Sequence, residues 1–84
     1  MDAQTLHDKL TGVFRAVFGS DTLTVTDATT AADVEGWDSL AQINLVVGAE
    51  EAFAVRFAVA EIRALKDVGG FKALIATKIQ AAGR

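Results

Sequence analysis

The chain has no cysteine, no proline and one histidine, and each shortage removes a class of protein. Without cysteine there is no disulfide framework, no thiolate metal ligand and no thiolate nucleophile, so any thiol chemistry must be imported. Without proline, and with 16 alanines among 84 residues, the composition favours a compact helical bundle over a sandwich or barrel. The lone histidine, His7, falls on the polar face of the first predicted helix and is expected to be a surface residue rather than a base. A Gly-x-Ser-x-Gly elbow is also absent, which removes the local setting of a serine hydrolase. Asp21, Asp27 and Asp33 recur regularly but lack the alternating oxygens, central glycine and closing glutamate of a calcium loop, so they read as turn residues. No His or Cys cluster could hold a transition metal, and no glycine-rich phosphate loop follows a strand. The chain reads as non-catalytic by itself.

No apolar run approaches the about 20 residues of a membrane span. Met1 is followed by an acid and an amphipathic pattern, not by a basic region and an apolar core, so no secretory signal is visible. A cytoplasmic protein without membrane contact is expected. At 8.8 kDa, residues 1–84 have room for a single domain with one core. Basic residues are also missing from one long stretch. Between Arg15 and Arg56 there is no Lys or Arg, while Asp21, Asp27, Asp33, Glu35, Asp38, Glu50 and Glu51 all lie there. Seven acids without a base stand in that segment, against four acids and eight bases elsewhere, which recovers the net charge of −3. A field of one sign suits basic partner surfaces and repels nucleic acid.

Leu6, Leu10, Val13, Phe14, Val17 and Phe18 recur at three and four residues, which predicts an amphipathic helix over residues 3–18 with Gly19 as its stop. Residues 20–38 are rich in Thr, Asp and Ala and read as a long loop, with one short turn around Thr30 to Val34. Leu23, Val25, Val34 and Trp37 are the residues that could anchor it, and Trp37 is most simply a hydrophobic plug. A second helix is predicted over about 39–54. Drawn as a wheel at about 100° per residue, it places Leu45, Val46, Ala49 and Phe53 on one face and Leu40, Asn44, Val47 and Glu51 on nearly the opposite one. Since one face suffices for a core, the second stripe is a candidate partner surface, unless the bundle buries both. Val59, Ile62 and Leu65 mark a short third helix over about 59–65. Asp67 can cap a fourth over about 68–81, with Val68, Phe71, Leu74, Ile75 and Ile79 inward. Gly69-Gly70 weakens the first turn of that helix and suggests close packing.

The run Gly36-Trp37-Asp38-Ser39-Leu40 ends the polar loop on a serine and opens directly into the second helix. Asp38 or Ser39 suits the cap, and Ser39 stands where the first backbone N–H groups and the helix dipole favour a phosphate. With Leu40, Ile43, Leu45 and Glu50-Glu51 downstream, this run resembles the prosthetic-group site of acyl carrier proteins, and the order of elements over residues 4–81 resembles that family too. The resemblance implies an all-α, up-and-down four-helix bundle with a long first loop and a short third helix. It implies that Ser39 carries 4′-phosphopantetheine, transferred from coenzyme A by a phosphopantetheinyl transferase with Mg²⁺, and that acyl groups ride on the arm as thioesters. By the same resemblance Asp38, Leu40, Asn44, Val47, Glu51, Phe57 and Ile62 line the surface read by acyl-transferring or acyl-activating enzymes with basic docking surfaces, with Phe57 near the mouth of any acyl pocket. A monomer is expected.

Five residues depart from the fatty-acid branch of that family. Ala41, Gln42 and Asn44 stand where acids are common there, and Arg56 and Arg63 are basic where that branch is usually acidic. The run Trp37-Asp38-Ser39-Leu40-Ala41-Gln42-Ile43-Asn44-Leu45 is closer to discrete carriers of specialised bacterial pathways, such as polyketide or unusual-acyl assembly. Fatty acid, polyketide or specialised acyl biosynthesis is thus the implied setting. A peptidyl or aminoacyl carrier is the alternative cargo class, and an unmodified interaction module with Ser39 only as a helix cap is the alternative of another kind.

Overall fold

The computed structural model describes residues 2–82; Met1, Gly83 and Arg84 of the single 1–84 domain expected above lie outside the described residues. Four α-helices follow in order: α1 (Ala3–Phe18), α2 (Ser39–Phe53), α3 (Val59–Arg63) and α4 (Val68–Ala82), with a one-turn 3-10 helix, Ala31–Asp33, in the first connection. Among the described residues there is no strand, and the isolated bridge Thr30–Asp67 is the extended pairing present. The all-α bundle with a long first loop and a short third helix is therefore the observed architecture.

Helix α1 begins where the Asp2 carboxylate accepts the Thr5 N–H at 2.7 Å. It ends where Gly19 adopts a left-handed conformation, φ 63°, and returns its own N–H to the Arg15 carbonyl. Its apolar stripe enters the core, with Leu6, Leu10 and Phe14 buried, while Val13, Val17 and Phe18 pack half-buried at the rim. Phe14, Phe71, Leu10, Leu45, Ile75 and Val68 are the largest side chains wholly removed from water. From α2 the expected inner face, Leu45, Val46, Ala49 and Phe53, is buried as a set. Leu74 of α4, expected inward, is only half-buried.

The long loop is pinned at several points. Val25 and Val34 are buried, and the Arg15 Nε–H donates to the Leu23 carbonyl at 2.8 Å. Thr30 and Asp33 close the 3-10 turn, with the Thr30 N–H donating to Asp33 Oδ2 at 2.9 Å. The loop then docks on the start of α4. Gly69 N–H donates to the Asp27 carbonyl at 2.8 Å and Val68 N–H to the Thr29 carbonyl at 2.9 Å. A Cβ on Gly69 would lie 3.0 Å from that Asp27 oxygen, which is why glycine stands there and gives the close packing expected of Gly69-Gly70. Asp67 caps α4 as expected, accepting the Gly70 N–H at 2.7 Å.

Three local expectations need correction. Helix α3 stops at Arg63 instead of continuing to 65, because Leu65 turns to pack against the core and its N–H closes on the Ile62 carbonyl at 3.2 Å. Helix α2 stops at Phe53, with Ala54 in the left-handed region at φ 55°, a conformation that costs a non-glycine residue strain and carries no composition signal. His7 is not a plain surface residue. It is half-buried, with Nδ1 3.2 Å from Lys72 Nζ, which in turn pairs with Asp27 Oδ1 at 2.7 Å.

Candidate functional site

The approach to Ser39 is built residue by residue. Gly36, at φ 87°, reverses the chain, and the Asp38 N–H closes the turn on the Gly36 carbonyl at 3.0 Å. Trp37 fills the hole beneath. Its ring stands edge-on to Phe14 at 5.3 Å between centroids, and its indole N–H donates to Gln42 Oε1 at 2.8 Å. The plug role expected of Trp37 is the observed one, with the half-buried aromatic finding a partner for its polar edge.

Asp38 then takes the cap of α2, its Oδ1 accepting the Ala41 N–H at 2.9 Å. Ser39 is the first helical residue, exposed, and its hydroxyl forms no hydrogen bond with another described residue. The alternative in which Ser39 serves only as the cap is thus corrected. Asp38 satisfies the orphan N–H group, and the serine hydroxyl is left to solvent. No nitrogen base sits against it, since His7 is engaged with Lys72 on the α1 side.

Beside Ser39 an open groove runs between α2 and α3, with Trp37, Ile43, Val59 and Ile62 as its apolar walls and Arg63 as its cation. Ile43 is 58% and Val59 65% exposed, so their apolar surface faces the groove and the solvent, not the core. Neither residue is among the partner-surface residues expected from the sequence. Val59 marks α3 in the sequence, and its place opposite Ile43 in one groove is set by the tertiary structure.

Of the residues expected on a partner surface, Asp38, Leu40, Asn44, Val47 and Glu51 are all exposed along α2. Leu40 is 67% and Val47 47% exposed, so the bundle does not bury the second stripe. Ile62 is half-buried in the groove wall. Phe57 is placed apart from them. It is half-buried against Phe71 of α4, 5.8 Å between centroids, with Lys78 Nζ 6.0 Å over its ring and its N–H donating to Glu50 Oε2 at 3.0 Å. An aromatic ring within reach of a core phenylalanine gains more from that contact than from solvent. Among the described residues no group of three His, Cys, Asp or Glu is placed to hold a metal ion, and no helix is long and apolar enough to cross a membrane.

Four helices with a long first connection, and a free hydroxyl at the first turn of the second helix beside an apolar groove, are the plan of small carrier proteins. The solution NMR structure of a holo acyl carrier protein from Geobacter metallireducens matches this chain with a TM-score of 0.85 and 38% sequence identity, over 92% of this chain and 88% of that one. No family model and no curated protein matches the chain. At that identity and coverage the chain belongs to the acyl carrier protein family, and its part in acyl biosynthesis is that of a carrier.

Proposed function

We propose that Ser39 carries a covalent 4′-phosphopantetheine arm and that residues 1–84 act as a monomeric carrier domain for acyl thioesters. The observation that supports this most is the division of labour at the start of α2. Asp38 caps the helix, and the Ser39 hydroxyl is exposed without a protein partner. The residues fit the group. The α2 start favours a phosphate by its dipole, and the adjoining groove offers apolar walls. The arm ends in the thiol that this cysteine-free chain lacks, and that thiol is what forms acyl thioesters.

On a phosphopantetheinyl transferase the Ser39 oxygen attacks phosphorus in the pyrophosphate of coenzyme A. An O–P bond forms, the anhydride bond breaks, the nucleotide half leaves, and the serine proton passes to the transferase. This chain supplies position and access. Asp38, Leu40, Asn44, Val47 and Glu51 supply the exposed face along which the transferase and acyl-handling enzymes dock, acids toward basic partner surfaces.

Within acyl biosynthesis we place the chain in a specialised pathway rather than general fatty acid synthesis. Two of the departures from the fatty-acid pattern have structural reasons, since Ala41 is buried and Gln42 holds the Trp37 indole. The exposed Asn44, Arg56 and Arg63 therefore support the specialised reading. Intact mass after incubation with coenzyme A and a broad-specificity transferase tests the central assignment. Wild type gains the mass of the arm and Ser39→Ala does not; a variant that still gains it would place the site elsewhere.

A further inference from the structure

We infer that Arg63 is the counter-ion of the arm's phosphodiester at Ser39 and so positions the arm along the groove between α2 and α3. The inference rests on the assignment of Ser39 above. Arg63 is the cation that lines the same groove as Ser39. It is exposed, and its guanidinium makes no ion pair or hydrogen bond with another described residue. No other described cation lines that groove, and several are engaged elsewhere. Lys72 pairs with Asp27, Lys78 with Glu61, each at 2.7 Å, and Arg15 donates to the Leu23 carbonyl. Arg56, also exposed, lines a separate hollow with Glu50 and Glu51, whose carboxylates offset its charge.

The charge map supplies the need for such a partner. A phosphodiester on Ser39 adds an anion to a stretch that already holds seven acids and no base, with Asp38 next to it. Like charges this close repel unless a cation faces them. Helix α3 is held so that it can provide one. Glu61 at its start accepts the Ala58 N–H at 2.7 Å and pairs with Lys78 of α4, which ties α3 to the bundle from the side of Glu61. Ile62 and Arg63 in turn line the groove. A guanidinium presents paired N–H donors in a plane that matches two phosphate oxygens, where an ammonium meets them as a point charge.

The test is NMR of nitrogen-15-labelled protein before and after the arm is attached, with loading confirmed by intact mass. In the holo protein the Arg63 Nε–Hε resonance moves downfield while that of Arg56 stays in place, and the shift shrinks as salt screens the pair. The phosphorus-31 resonance of the arm moves in holo Arg63→Gln, moves less in Arg63→Lys, and is unchanged in Arg56→Gln; far-UV circular dichroism checks that each variant is folded. Identical phosphorus signals in wild type and Arg63→Gln would overturn the inference. So would an Arg63 signal that responds only when the arm bears a succinyl half-thioester, which would assign the arginine to a carboxylate cargo. A wild-type chain that gains no mass on Ser39 brings down the modification itself, and the mass spectrum shows this before any resonance is compared.

Discussion

At Ser39 and Asp38 two residues that look interchangeable in sequence have been given different tasks by one hydrogen bond. The Asp38 carboxylate faces the Ala41 N–H and stabilises the helix, so the neighbouring serine is free of structural duty. Asp38→Ala is expected to cost about 1 kcal/mol of stability, as loss of a cap does. Ser39→Ala, an exposed change with no partner lost, should stay within about 0.5 kcal/mol while abolishing attachment of the arm. Urea melts of both variants beside their intact masses check the pair. A Ser39→Ala protein that melts like Asp38→Ala would return the cap to the serine.

Helix α2 shows the same separation at the scale of an element, since it has two apolar sides and only one is used for folding. Phe53 is 7% exposed beneath Lys9, whose Nζ lies 5.3 Å from the ring centroid, whereas Val47 is 47% exposed on the opposite side. Phe53→Ala should cost ~3–5 kcal/mol through the cavity it leaves in a core with no slack. Val47→Asp should leave the melt nearly unchanged and slow transfer reactions that need docking along α2. Thermal melts and initial rates of arm attachment, measured on both variants, give the comparison; equal unfolding would show that the second stripe is buried after all. Helix α3 forms a wall of the groove beside Ser39 despite its five residues, because Glu61 and Lys78 hold it against α4 and leave Val59 and Arg63 outward.

Over the whole molecule the acids fall into two sets. Asp38 and Glu51 are exposed along α2, and in the docking role proposed for them they would steer basic surfaces, an attraction screened over a Debye length of about 8 Å at physiological salt. Replacing Asp38 and Glu51 with Lys is expected to slow arm attachment through its on-rate or apparent affinity, with Asp8 reversal mattering much less and all rates falling as salt rises. Initial rates from low to high ionic strength measure this, and equal losses at Asp8 and Glu51 would remove the acidic surface from the process. Other acids hold the bundle together. The Lys72 partner holds the Asp27 carboxyl below its ordinary value of 3.8, and the Ala58 N–H followed by Lys78 does the same for Glu61 below 4.5. A carboxyl whose folded pKa is depressed stabilises the fold above its unfolded value and loses that contribution as pH falls through its folded value. Stability should therefore be level near neutrality and decline below about pH 4.5, with a flatter decline in Asp27→Asn and Glu61→Gln, as denaturant melts across pH would show.

Much of this was legible one residue at a time. Apolar spacing marks the core faces of α1 and α2, Gly19 and Asp67 punctuate their helices, and Trp37 is identifiable as a plug, because each of these signals is local and is read along the chain itself. The Asp38-Ser39-Leu40 run, with the order of elements, carries the family resemblance for the same reason. Tertiary structure decided what depends on residues distant in sequence meeting. It drew Phe57 onto Phe71, and ended α3 at Arg63 so that Leu65 could reach the core. It also joined His7 and Asp27 through Lys72, and brought Arg63 of α3 to the groove that Ser39 opens. Periodicity records which side of a helix is apolar, but only the packing of one helix against another determines which apolar side is covered and which charge is left facing the site.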